Sequence, residues 1–182
     1  MLRLFVALAL PEAATAALER LSFDGMPGAR WVEPENMHIT LRFSGEVNEH
    51  DAEEIHHELA RVRALRFSLS LVGVDAVGQG RKTRALWAGV EKSEPLNLLR
   101  GRVEAAVMRA GHPPEARKFV PHVSLARFNS APPDRIQRFI ENNNLFRFGP
   151  IAFEHFTLFE SDTGAGGPVY TPLQEYPLDP AP

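Results

Sequence analysis

Hydrophobic residues recur along this chain at two periods, and the alternation between them predicts its elements. Leu2 to Leu10 is a short apolar run closed by Pro11, the pattern of a buried strand. Glu12 to Leu21 then places Ala14, Ala17, Leu18 and Leu21 at helical spacing. Ser22 to Ala29, with Gly25, Pro27 and Gly28, reads as loop, and Trp31-Val32 leads through a Pro34-Glu35-Asn36 turn into an alternating segment from Met37 to Phe43. Gly45 is expected to end that strand. Asn48 caps a helix over Asp51 to Arg63 with Ile55, Leu59 and Val62 inward, and Phe67 to Val74 alternates as a further strand.

After an exposed turn at Gly78-Gln79-Gly80-Arg81-Lys82 the same order starts again. Arg84 to Val90 is strand-like, Leu96 to Ala110 is helical through Leu96, Leu99, Val103 and Val107, and Pro121 to Phe128 alternates like Met37 to Phe43. A shorter helix follows over Asp134 to Asn143, then a Phe-rich strand pair over 146–159, and a loop-like tail over 164–182 containing Tyr170-Thr171-Pro172-Leu173. The interval from His38 to His122 nearly equals that from Phe5 to Trp87. The chain therefore reads as a duplicated α+β unit: one bilobal domain with repeat one over 1–80, repeat two over 81–165, and a tail, 166–182, returning to the fold. Like units packed about a pseudo-twofold axis leave a groove between them, where ligands bind.

The first apolar run also imitates a short signal peptide, but Pro11-Glu12 interrupts it and the second repeat has a matching strand, so a buried strand is the better expectation. A hydrophobic content of 44% over 182 residues suits a globular protein with a sizeable core. The net charge of -3 argues against a general basic surface for long nucleic acid, so any phosphate contact is local. With no cysteine, thiolate chemistry is excluded and a reducing cytoplasm is compatible.

The two alternating segments carry the candidate chemistry. His38-Ile39-Thr40-Leu41 and His122-Val123-Ser124-Leu125 each set an imidazole and a hydroxyl two apart, on one face of a strand whose other face is core. A pair of histidines can act as base and acid near neutral pH, while the hydroxyls of Thr40 and Ser124 bond the non-bridging oxygens of a phosphodiester. A single His-x-Thr in a strand carries little weight; two copies at matching places in two repeats carry much more.

These stretches resemble the 2H phosphoesterases, and among them the bacterial and archaeal RNA 2′,3′-cyclic phosphodiesterases, also described as 2′-5′ RNA ligase-like proteins. The resemblance runs from Arg3-Leu4-Phe5-Val6-Ala7 through Pro34 to Leu41, Leu86 to Val90 and Phe119 to Arg127, and closes at Tyr170-Thr171-Pro172-Leu173. It implies a bilobal α+β fold with antiparallel sheets facing a central cleft. The implied reaction is metal-independent opening of a 2′,3′-cyclic phosphate on RNA to a 2′-phosphate, with ligation as its possible reverse and no cofactor. In it His38 resembles the proton donor to the departing 3′ oxygen and His122 the base that activates water. Ser124 stands where threonine is usual, which keeps the hydroxyl.

Arg127 resembles a phosphate ligand of that family, although strict alternation turns it from the cleft unless the strand bends or bulges. Arg42 shares the face of Thr40 in a straight strand and is a second cationic candidate. Among the aromatic residues, Trp31 and Tyr170 are candidates for stacking on a base, while Phe5 and Trp87 are expected in the core. The adjacent His56 and His57 diverge on a helix, and His50, His112 and His155 have no ligand partner in sequence, so no metal site is expected. No membrane segment or obligate protein partner is expected, and a cleft complete in one chain favours a monomer. Two other readings stay open: a phosphodiesterase for another small cyclic phosphate or 2′-5′ oligonucleotide, and a non-catalytic module that binds an RNA end.

Overall fold

The structure is a computed structural model that describes residues 1–23 and 25–181; Asp24, inside the expected loop, and Pro182, at the end of the expected tail, lie outside them. The first strand, β1 (Leu2–Ala9), buries Leu4, Val6 and Leu8 in the main core and runs through Pro11 into α1 (Glu12–Glu19). A two-residue strand, β2 (Arg30–Trp31), and a 3-10 turn over Pro34–Asn36 lead into β3 (His38–Val47). Gly45 does not end this strand. It takes φ +69°, open to glycine at little cost, and β3 continues to Val47 while its register against β1 slips between Leu4 and Phe5.

The Asn48 side chain accepts a 2.8 Å hydrogen bond from the Asp51 N–H and so starts α2 (Glu49–Ala60). After it come β4 (Phe67–Val77), β5 (Ala85–Val90) and α3 (Glu94–Arg109), the last capped by Ser93, whose hydroxyl accepts from the Leu96 N–H at 3.2 Å. Then follow β6 (His122–Arg127), α4 (Pro133–Asn143), β7 (Arg147–Phe153), β8 (His155–Gly164) and β9 (Gly167–Pro177). Two entirely antiparallel sheets result, one in the order β3-β1-β8-β9 and the other β2-β6-β5-β4-β7. The class is α+β with two facing lobes, as the hydrophobic pattern predicts.

Each sheet draws strands from both halves of the sequence. β4, from the first half, joins the second sheet, whereas β8 and β9 join the first. The expected Phe-rich strand pair over 146–159 is thus two strands, β7 and β8, that enter different sheets. The expected loop-like tail is instead mostly β9, paired along the whole of β8; its side chains are largely exposed, so no alternation of buried positions marked it. Helices exchange as well: α3, which links β5 to β6, packs beside α2 and over β3, while α1, which links β1 to β3, packs on β7. Leu96, Leu99, Val103, Ala106 and Val107 form the buried face of α3, each large side chain contributing about 1.5–3 kcal/mol by leaving water.

Candidate active site

Both histidine strands carry the same irregularity. Along β1 and β3, Val6 lies opposite Arg42 but Ala7 opposite Thr40, so Leu41 is an extra residue; along β5 and β6, Leu86 lies opposite Ala126 but Trp87 opposite Ser124, so Leu125 is extra. Each is a bulge one residue past the hydroxyl. Leu41 and Leu125 stay buried, and beyond them the facing of the strand reverses. Arg42 and Ala126 turn inward, and Phe43 and Arg127 turn outward.

This bend sends the two cationic candidates to different places. Arg127 is exposed, lies near enough to both imidazoles to depress their protonation, and lines a pocket of about 440 Å³ together with Phe5 and Tyr170, the rings packed against His38. Arg42, expected on the face of Thr40, is instead 5% exposed and pairs with Glu104 on α3. The straight-strand expectation for it is corrected by the bulge at Leu41.

Nδ1 of His38 lies 2.7 Å from the Asn36 carbonyl, and Nδ1 of His122 lies 2.8 Å from the Val120 carbonyl. A carbonyl only accepts, so each Nδ1 carries the proton and each neutral ring keeps its lone pair on Nε2. Beneath the rings lie equivalent aromatic supports: Phe5 has its centroid 4.9 Å from that of His38, and Trp87 is 4.2 Å from His122. Tyr170 meets His38 edge-on at 5.3 Å and Phe5 at 5.0 Å. Opposite His122 in β5 stands Gly89, where a Cβ atom would come within 2.5 Å of the Val72 carbonyl, so glycine lets β5 and β4 approach under the ring.

Burial is the main cause that lowers the pKa of both histidines below the ordinary value. The backbone hydrogen bonds oppose it. For His38, positive charge on His122 and on Arg127 lowers it further, and for His122 the charge on Arg127 does so. The two histidines stand at the start of β3 and of β6, strands that approach each other between the sheets.

Thr40 and Ser124 are half-buried beside their histidines, on the same strand face. Of the two stacking candidates, Tyr170 reaches the site, lining the pocket with Phe43, Arg3 and Arg127. Trp31 does not. It pairs with the inward Ala126, and its ring lies 6.0 Å from Phe139 of α4 and 6.2 Å from Phe23. Sequence reasoning missed the orienting carbonyls of Asn36 and Val120, which no side-chain identity announces, and it missed Arg3 and the exposed Phe43. Strict alternation puts Phe43 in the core with Ile39 and Leu41; that expectation is corrected by the bulge at Leu41, which leaves Phe43 59% exposed.

A bilobal fold with matched His-x-Thr and His-x-Ser strands facing one cleft defines the 2H phosphoesterase class, and comparison with known proteins bears this out. The family model of the 2′-5′ RNA ligase superfamily matches residues 10–165, and the chain belongs to that superfamily. It is 35% identical over 160 residues to a protein of Aeropyrum pernix named RNA 2′,3′-cyclic phosphodiesterase, covering 86% of this chain and 90% of that one. It is 34% identical over 182 residues to a protein of the same name from Thermotoga maritima, covering 96% and 94%. The crystal structure of Escherichia coli LigT complexed with 3′-AMP superposes with a TM-score of 0.75 at 27% identity, over 97% of this chain and 98% of that one. This chain is accordingly an enzyme, a phosphodiesterase. No helix among the described residues is long and apolar enough to cross a membrane.

Proposed function

We propose that the enzyme hydrolyses the 2′,3′-cyclic phosphate at the end of an RNA to a 2′-phosphomonoester. The observation that carries this reading is the matched pair of imidazoles, each with Nδ1 tied to its own backbone and Nε2 left for chemistry. His122 takes a proton from water as the water oxygen bonds to phosphorus. The P–O3′ bond breaks, and His38 delivers a proton to the departing O3′. Thr40, Ser124 and Arg127 hold the non-bridging oxygens, where negative charge gathers in the transition state.

Lowered pKa values suit the base directly, because His122 is neutral and ready near pH 7. His38 must be protonated to act as acid, and an anionic phosphate arriving beside it raises its affinity for the proton. Tyr170, Phe43 and the pocket they line take the nucleoside, with Arg3 at its rim. The relatives named RNA 2′,3′-cyclic phosphodiesterase and the LigT complex with 3′-AMP support RNA ends or small nucleotides as the substrate class. Neither metal nor nucleotide cofactor enters these steps. The same steps with the 5′-hydroxyl of a second RNA in place of water form a P–O5′ bond as the P–O3′ bond breaks, with the proton passing to O3′, and give a 2′-5′ linkage. A cytoplasmic site of action belongs to the same reading, and the absence of cysteine suits it.

The reading is tested by offering nucleoside 2′,3′-cyclic phosphates beside 3′,5′-cyclic nucleotides and 2′-5′-linked dinucleotides. Ring opening confined to the 2′,3′ class supports it; preference for either other class assigns the same site to a different phosphodiester.

A further inference from the structure

The inward turn of Arg42 leaves a buried charge that the steps above do not use. Its Nε donates to the Phe43 carbonyl at 2.9 Å, one terminal nitrogen donates to the Glu104 carboxylate, and the other to the Pro113 carbonyl at 2.5 Å. Glu104 also accepts from the Glu115 N–H at 3.0 Å and lies 3.1 Å from Arg100. These partners belong to three different segments. Phe43 follows the bulge in the strand of His38, Glu104 is on α3, and Pro113 and Glu115 begin the stretch that runs from α3 to Val120 and His122.

Stability alone does not call for this charge. At the equivalent position of the second strand stands Ala126, fully buried, so the bulge closes without an ion pair. A buried ion pair is, moreover, seldom more stabilising than well-packed apolar side chains. A guanidinium does have one property an apolar group lacks: a rigid planar fork that fixes several acceptors in one geometry.

We propose that Arg42 is a positioning residue, whose fork joins the bulge of the His38 strand to the segment that delivers His122 and so sets the gap between the two imidazoles. The inference rests on the reading that both rings act on one phosphorus. It explains why the charge is in the first copy only, since α3 crosses over that strand and needs one fastening point.

Arg42→Lys tests it, because lysine keeps the charge and loses the fork; Glu104→Gln and Arg42→Met accompany it. The readouts are kcat and KM for a nucleoside 2′,3′-cyclic phosphate, and the NMR titration of His38 and His122 without substrate. In Arg42→Lys, kcat is expected to fall about 10-fold or more with KM changed by less than about twofold. The His38 titration, which the charge on His122 lowers, is expected to move upward as the rings separate; Arg127, the other charge facing them, is untouched. A folded Arg42→Lys protein with wild-type kcat and wild-type histidine titrations, even with a lowered melting temperature, overturns the proposal. Should Arg42→Met fail to fold, the lysine and Glu104→Gln proteins decide. Absence of turnover in the wild type would instead reject the assigned reaction, and the titrations would still test the geometry.

Discussion

His38 and His122 make the same hydrogen bond, each Nδ1 to the carbonyl two residues upstream, from strands in different sheets. Their equivalence extends to the bulged leucine after the hydroxyl and to the aromatic ring beneath, Phe5 in one case and Trp87 in the other. Past the leucine the two copies differ. Phe43 and Arg127 occupy matching outward positions, so one copy offers the cleft a stacking surface and the other a cation.

Replacing either histidine removes one proton transfer. His38→Ala and His122→Ala are each expected to lower kcat by about 10²–10⁴-fold, with circular dichroism and melting behaviour close to wild type. Both rings are half-buried at the cleft and not within the main core, so the fold has little to lose. Steady-state turnover on a 2′,3′-cyclic nucleotide measures this, and a variant turning over at the wild-type rate would remove that histidine from the mechanism.

Acidity should affect rate and stability together. The folded protein holds both histidines below their unfolded value near 6.5, so between those values the unfolded chain binds more protons and stability rises with pH. Glu104 adds to this at lower pH. Burial raises its pKa, but hydrogen bonds from Arg42 and the Glu115 N–H, with the charge of Arg100, outweigh it, so its stabilisation is present above about 4.5 and lost below. Melting temperature is expected to fall steadily from pH 7 to pH 4, and kcat/KM to follow a bell whose acidic limb lies below 6.5. A stability maximum below pH 5 would contradict the account.

Arg127 carries two separable effects. Its loss in Arg127→Ala removes a charge-assisted hydrogen bond to phosphate, worth about 1.5–3 kcal/mol, so kcat/KM is expected to drop about 10- to 100-fold. It also removes a cation that lowers both histidines, so their titrations should shift upward in the free enzyme. NMR titration beside kinetics separates the two; unchanged histidine titrations would place the guanidinium outside the site.

Much of this was legible in the chain. His38, Thr40, His122 and Ser124 stand out because period-two alternation puts them opposite Ile39, Leu41, Val123 and Leu125, and burial confirms that division. Helices α2, α3 and α4 announce themselves through their apolar faces, and α2 through its Asn48 cap as well. What escaped was non-local. No local pattern says that β4 pairs in the second sheet and β8 in the first, because register between distant strands depends on the whole assembly. The bulge at Leu125 was required by Arg127, yet its twin at Leu41 was not foreseen, and that twin sends Arg42 to Glu104. Trp31 was misjudged for a related reason, since its pairing with the inward Ala126 turns its ring to α4.

The most direct measurement is to incubate the protein with an RNA ending in a 2′,3′-cyclic phosphate and identify the product. Protonation of O3′ by His38, with water attacking from the side of His122, yields a 2′-phosphomonoester that disappears when both histidines are replaced. A 3′-phosphomonoester, or ring opening that survives the double replacement, would contradict the account.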